Sequence, residues 1–215
     1  MNYEGQICRG PMERSSYMLP VAVGCSYNRC KFCTLFRHLK YRELPMEQIE
    51  GELERVRNLG GNPKHVFLGD GNAFGLDTGR LLKITDLIHR YFPDCCAINM
   101  DATVTNIRAK SQEELQALRA AGIRHLYLGI ESGLDDVLVR MEKDHNLDQA
   151  YRQIDRIQNA GFIYDAHIMT GIAGHGRGRE NAYATAEFFN RTRPRRVKVG
   201  GQAVLGRQHL ATTPW

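Results

Sequence analysis

A parallel α/β fold is what this sequence predicts, and three observations carry the prediction. Short apolar runs alternate with amphipathic segments along the chain, six of the first and five of the second, at roughly 30–40 residues per unit. The amphipathic segments are bounded by capping residues and by glycines that stop a helix. The composition is ordinary for a globular protein, with 42% hydrophobic and 25% charged residues. At 215 residues the chain can bury a substantial core without disulfide staples, and it reads as one domain.

The elements follow in order. Tyr17–Gly24 (YMLPVAVG) reads as the first strand and runs directly into a cysteine-rich loop. Ile49, Leu53, Val56 and Leu59 recur at helical spacing over residues 46–59, and Gly60-Gly61 end that helix. Residues 65–69 (HVFLG) form the second strand, and residues 77–91 a helix with Asp77 or Thr78 as N-cap and Pro93 beyond its end. The third strand is expected over residues 95–100 (CCAINM), starting at Cys95-Cys96. Ser111-Gln112-Glu113-Glu114 is a capping-box sequence, opening a helix that Gly122 stops. Residues 124–130 are the fourth strand. Helical sequence follows from Leu134, broken near Asp144-His145-Asn146, with Ala150, Ile154 and Ile157 on one face and Gly161 at the end. Residues 162–170 are the fifth strand, 180–190 the fifth helix and 196–205 the sixth strand. Strands separated by helices pair in parallel through βαβ crossovers. The expected organisation is an N-terminal extension over 1–16, a core over 17–205 and a short tail over 206–215.

Several function classes drop out. No apolar run approaches the ~20 residues of a membrane span. The first residues, Met1-Asn2-Tyr3-Glu4-Gly5, lack the basic-then-apolar layout of a secretion signal, so a cytoplasmic location is expected. The net charge is a modest +5, but residues 191–215 hold Arg191, Arg193, Arg195, Arg196, Lys198 and Arg207 with no Asp or Glu. Such a segment binds nucleic acid or an acidic surface, or is simply solvated.

Parallel α/β folds place their chemistry at the carboxyl ends of the strands. The loops so placed are 25–33, 70–74, 99–103, 131–133, 171–178 and 200–202. The first is the most informative. Cys25-Ser-Tyr-Asn-Arg-Cys30-Lys-Phe-Cys33 is a C-x4-C-x2-C run, and clustered cysteines in such a chain point to metal or redox chemistry before disulfides. Three thiolates can hold three irons of a cubic iron–sulfur cluster and leave the fourth open to a ligand. A zinc site using His38 as fourth ligand, a closed four-cysteine cluster recruiting Cys8, Cys95 or Cys96, and inert buried thiols are the alternatives at this point.

The cysteine run, its place after the first strand and the segment Val23-Gly24-Cys25-Ser26-Tyr27-Asn28-Arg29-Cys30 resemble the radical S-adenosylmethionine (SAM) superfamily over about residues 3–205. Within it the sequence looks like a branch loosely grouped with oxygen-independent coproporphyrinogen oxidase relatives. The superfamily's commonest spacing is C-x3-C-x2-C, so this chain carries one extra residue between Cys25 and Cys30. The resemblance implies a partial (βα)6 barrel with a parallel sheet, a [4Fe-4S] cluster on Cys25, Cys30 and Cys33, and SAM on its open iron. It implies that Phe32 touches the adenine. It also implies that Asp70, Gly71 and Asn72, where the family has Gly-Gly-Glu, receive the methionyl ammonium, with an Asp-Gly turn as the bland reading. Glu131 and Ser132 are implied contacts of the ribose or methionyl end, and Gly171, opening the run Gly171–Gly178, an adenine contact through the backbone. The activity implied is reductive cleavage of SAM to a 5′-deoxyadenosyl radical that abstracts a substrate hydrogen. An electron donor such as flavodoxin or ferredoxin is implied as partner. A non-enzymatic zinc or iron–sulfur module that binds nucleic acid through the basic C-terminal segment is the rival function.

Met100 and Met169 read as core residues, Cys95-Cys96 as structural, and Asn99 and Asp101 as candidates for substrate contact. The sixth strand is an edge with little sequence after it, so self-association or an acidic partner is expected over residues 191–215.

Overall fold

The computed structural model of the protein describes Glu4 and residues 8–201. The six strands of the alternation are present as β1 (Tyr17–Gly24), β3 (His65–Gly71), β4 (Ala97–Ala102), β5 (Ile123–Glu131), β6 (Ile163–Thr170) and β7 (Val197–Gly201). A two-residue strand, β2 (Arg42–Glu43), adds an antiparallel edge, with Ala22 opposite Glu43 and Val23 opposite Arg42. The sheet order is β2-β1-β3-β4-β5-β6-β7, and every pair after β2 is parallel. A strand order that follows the chain without reversal is that of a barrel rather than a doubly wound sheet. Because β1 and β7 do not pair with each other, the barrel is partial.

The helices are α1 (Met46–Asn58), α2 (Thr78–Tyr91), α3 (Val104–Arg108), α4 (Gln112–Ala120), α5 (Asp135–Arg140), α6 (Leu147–Asn159) and α7 (Gly178–Thr192). Their starts follow the predicted chemistry. The Asp77 side chain accepts from the Arg80 N–H, and Ser111 and Glu114 form a complete capping box. The break at 144–146 separates α5 from α6, where Asn146 and Gln149 cap each other. Helix α3 was not legible: five residues are too few to show a period, although Thr103 and Asn106 make a capping box.

One expected boundary is corrected. Strand β4 starts at Ala97, and Cys95-Cys96 precede it: the Cys95 N–H donates back to Phe92 O in the turn after α2, and the Cys96 N–H donates to Lys64 O just before β3. The expected sixth strand starts at Val197; its residues 202–205 and the tail lie outside the described residues.

Successive side chains alternate between the two faces of the sheet. Leu19, Val21, Leu68, Met100, Leu126, Leu128 and Ala166 pack in one continuous core with Ile49, Leu53, Leu81, Ile84, Leu115, Ile154, Ile157 and Phe188 of the helices. On the other, concave face Met18, Phe67 and Tyr127 form a separate small cluster with Met12. The segment before β1 closes this face from below. Glu13, in a short 3-10 turn (Pro11–Glu13), is buried and accepts from Asn99 Nδ2 at 2.8 Å, from the Tyr127 hydroxyl and from the Ser16 hydroxyl. Arg9 folds back onto Ser16 O and Arg14 O. Among the described residues no helix is long and apolar enough to cross a membrane.

Candidate functional site

The cysteine loop leaves β1 through Gly24, whose φ of 80° turns the chain sharply. Asn28 is also left-handed, with φ 46°. Arg37 donates to Cys33 O and Cys30 O, both at 2.8 Å, and Asn28 Nδ2 donates to Phe36 O at 3.0 Å. Three further contacts fasten the loop to the end of α5. The Tyr27 hydroxyl donates to Glu142 O at 2.7 Å, the Lys31 N–H donates to Met141 O at 3.0 Å, and Lys31 pairs with Glu142 at 3.2 Å. Cys25, Cys30 and Cys33 are free and partly buried. Burial pushes the Cys30 thiol up to about 11 and raises Cys33, so thiolates here call for a neighbouring cation or metal.

The thiols do not gather around one point. Among the described residues no three Cys, His, Asp or Glu side chains converge closely enough to hold a single ion. A tetrahedral zinc site requires that convergence at Zn–S distances of about 2.3 Å, whereas a cubic cluster takes one thiolate per iron on separate corners. Three thiols on one loop are the donor set that a cubic cluster with one open iron requires.

The ends of β3, β5 and β6 surround this loop. Gly71 closes β3 with φ 153°, and a Cβ there would clash with the Gly24 carbonyl oxygen, so only glycine allows the two loops to meet. Asn72 follows; it is 6% exposed, and among the described residues neither its amide oxygen nor its amide nitrogen has a partner. A buried amide with both ends open is a site waiting for a polar ligand. The Asp70 side chain lies outside the described residues.

Glu131 ends β5 with φ 69°, a strained conformation for a residue with a side chain, and is 8% exposed. Burial raises its carboxyl against the pull of Lys143, whose Nζ stands 3.6 Å away. Lys143 is 7% exposed and sits 5.7 Å over the Phe32 ring, with Asp144 at 3.8 Å. Burial opposes its charge, but Glu131, Asp144 and the thiols outweigh burial and hold it protonated. Asp144 is fixed in turn by His145 at 3.0 Å and by the Thr105 N–H at 3.1 Å. Ser132 is fully buried, and its hydroxyl is committed to Asn181 Oδ1 at 2.6 Å and to the Leu134 N–H at 3.1 Å.

Beyond Glu131, Phe32 packs with Met169, Ile172, Ala173, Val137 and Met141 in an apolar group that joins the cysteine loop to the loop opened by Gly171, itself at φ 80°. Arg140 Nη2 donates to Ile172 O at 3.0 Å and ties that loop to α5. Thus Cys25, Cys30, Cys33, Phe32, Gly71, Asn72, Glu131 and the Gly171 loop lie around one end of the sheet. Lys143 was missed by sequence reasoning; its only signal was its place in the helix break after the fourth strand. Met100 is in the main core and Met169 in the Phe32 group. Asn99, a candidate for substrate contact, donates Nδ2 to Glu13, and its Oδ1 has no partner among the described residues.

Comparison with known proteins agrees with this arrangement. The radical SAM superfamily pattern matches residues 19–189, from β1 into α7. The chain belongs to the radical SAM superfamily. Its members are enzymes that use SAM and a [4Fe-4S] cluster. The chain is 26% identical over 153 residues to the heme chaperone HemW of Bacillus subtilis (strain 168), covering 70% of this chain and 40% of that protein. It is 25% identical over 164 residues to a tRNA-2-methylthio-N(6)-dimethylallyladenosine synthase of Chlorobium phaeobacteroides, covering 73% of this chain and 36% of that one. Among solved structures it superposes on coproporphyrinogen III oxidase (HemN) of Escherichia coli with TM-score 0.68 at 15% identity, over 90% of this chain and 48% of that one. Methylornithine synthase (PylB) gives TM-score 0.65 at 17% identity, over 86% of this chain and 52% of that one. At such identities the solved structures share the fold. The chain spans about two fifths of the length of the curated relatives it matches.

Proposed function

We propose that this radical SAM enzyme binds a [4Fe-4S] cluster through Cys25, Cys30 and Cys33 and cleaves SAM reductively to start hydrogen abstraction from its substrate. The observation that carries the reading is the buried, unpartnered Asn72 amide, set beside the cysteine loop by the contact of Gly71 with Gly24. The cluster and SAM together supply the electron transfer that breaks a carbon–sulfur bond and yields methionine and the 5′-deoxyadenosyl radical. The protein's own residues bind, orient and exclude water. Asn72 and the Gly71 backbone, with Asp70, receive the methionyl ammonium. The Lys143 ammonium faces the methionyl carboxylate, and Glu131 accepts from the ribose hydroxyls. Phe32 and the Gly171 loop enclose the adenine. Ser132 contributes by holding the turn that sets Glu131.

Residues 17–205 form the catalytic core in this reading, preceded by an extension and followed by a short tail, and the protein works in the cytoplasm. A flavodoxin- or ferredoxin-type donor supplies the electron. On β7, Val197 and Val199 are 41% and 59% exposed on the face away from Lys198, which supports contact of this edge with a second copy or an acidic partner. The rival zinc or nucleic-acid-binding module is not favoured, because the radical SAM pattern spans residues 19–189, the cysteine loop included.

The test is SAM binding to the anaerobically reconstituted, reduced chain, read from the change in the cluster's electron paramagnetic resonance signal. The wild type should show a new signal on SAM addition, and Glu131→Ala should keep its iron but require at least about tenfold more SAM. A wild-type signal indifferent to SAM would overturn the proposal.

A further inference from the structure

The concave face of the sheet above the Tyr127 layer carries charges that the cofactor site does not use. Strand register sets which residues stand there. Asp101 lies opposite Tyr127, Gly129 opposite His167, and His167 opposite Lys198. Their strand neighbours Met100, Leu128 and Ala166 belong to the core on the helix side, so Asp101, His167 and Lys198 point the other way. Beneath them the space is filled: Tyr127 packs with Phe67, Met18 and Met12, its ring 6.1 Å from that of His167, and Glu13 takes up Asn99 and the Tyr127 hydroxyl. Above, Gly129 abuts the Glu131–Lys143 pair so closely that a Cβ there would strike both side chains. The layer is therefore sandwiched between a closed floor and the proposed SAM site.

Asp101, His167 and Lys198 each keep some accessible surface, and among the described residues none of the three side chains makes a hydrogen bond or an ion pair. His167 Nε2 is buried and open, and burial, with the nearby lysines, keeps its ring neutral by pushing it down to about 4. Asp101 and Lys198 feel each other's charge, the Cys8 thiol feels both, and among the described residues no ion pair joins the two. Two opposite charges facing one partly dewatered space without meeting are each incompletely compensated. A ligand with one charge would satisfy one of them and be repelled by the other. A ligand carrying an ammonium and a carboxylate on adjacent atoms satisfies both.

We infer that this layer binds the α-amino-acid group of a zwitterionic substrate, with Lys198 taking the carboxylate, Asp101 the ammonium, and His167 and glycine 129 the space between them. The inference rests on the proposed SAM site only for what lies above the ligand. Binding itself depends on Asp101 and Lys198 alone.

The experiment uses the reconstituted holoenzyme with SAM kept saturating, since the methionyl end of SAM is itself an amino acid and its own site must be filled. The twenty proteinogenic L-α-amino acids are screened by ligand-observed NMR at about 10 mM, enough to saturate a site with Kd near 1 mM. For each binder the corresponding amine and the corresponding carboxylic acid are then titrated. At least one amino acid should bind, with both single-charge analogues weaker by tenfold or more. Lys198→Met and Asp101→Asn should each lose tenfold or more, while Lys198→Arg retains binding and shows that the fold has survived. Binding by none of the twenty, or a carboxylic acid that binds as tightly as its amino acid, would overturn the inference. SAM cleavage in the same samples separates the two claims. Normal cleavage without amino-acid binding removes only this inference, and charge-dependent binding without cleavage removes only the proposed activity.

Discussion

The cysteine-loop end of the barrel and its closed floor are built by opposite means. At the loop end the chain bends into left-handed conformations at Gly24, Asn28, Glu131 and Gly171, and polar groups such as the Asn72 amide are left without partners. At the floor, three donors converge on one buried carboxylate: Glu13 gathers Ser16, Asn99 and Tyr127. The first region leaves the Asn72 amide open at both ends, whereas the second ties one carboxylate to three donors. Substitutions in the two regions should therefore separate ligand binding from stability.

The largest effect is expected at the loop. Cys30→Ala leaves two thiolates, and two cannot retain a cubic cluster, so iron after anaerobic reconstitution should fall to background together with the broad visible absorbance. Iron content equal to wild type would show that the loop does not hold the cluster.

Next comes the floor. Glu13→Ala strands the Asn99 amide and two hydroxyls in a buried site and should cost about 2–4 kcal/mol in denaturant unfolding, with SAM affinity little changed. A variant of unaltered stability would mean that the segment before β1 is not anchored there.

Asn72→Ala should do the reverse. It removes two unsatisfied buried atoms, so stability should hold or rise slightly, while SAM affinity falls about tenfold, or about 1.4 kcal/mol. Loss of stability without loss of affinity would assign Asn72 to the scaffold.

A last effect lies between the two regions and is read by pH. Burial pushes the Asp101 carboxyl up to about 7, against the pull of Lys198, whereas an unfolded carboxyl titrates near ~4. The folded chain thus holds this proton more tightly than the unfolded chain. Its contribution favours the fold below about pH 4, is lost as pH rises toward 7, and is constant above. His167, depressed to about 4, acts in the other direction, losing stability as pH falls below about 6.5. The readout is therefore the difference in unfolding free energy between wild type and Asp101→Asn, which should widen in favour of the variant from pH 4 to 7. A pH-independent difference would place Asp101 in water.

How far each region could be read from sequence follows the same division. Cys25, Cys30 and Cys33 lie within nine residues, and Gly71-Asn72 and Glu131 end strands whose apolar runs are unmistakable, so local pattern and strand order brought them together. The Glu13 contacts join residues 86 and 114 positions apart, and no local pattern marks them. Lys143 stands in a helix break whose existence was legible but whose partner Glu131 was not, because their approach depends on how the cysteine loop pins Met141 and Glu142. Asn99 looked equivalent to Asp101 on the strand, yet the segment before β1 takes the Asn99 Nδ2, a contact that no local pattern marks. The start of β4 was misplaced by two residues since apolar Cys95 and Cys96 resemble strand sequence, while the Cys95 N–H closes the preceding turn onto Phe92 O.

The central claim is that three thiolates and the loops around them support reductive cleavage of SAM. Its most direct test is the yield of 5′-deoxyadenosine when the anaerobically reconstituted chain is given dithionite and SAM, with Cys30→Ala run beside it. The wild type should form 5′-deoxyadenosine, slowly in the absence of substrate, and Cys30→Ala should form none above the protein-free control. No product from wild-type protein carrying a full cluster, or equal product from Cys30→Ala, would contradict the account.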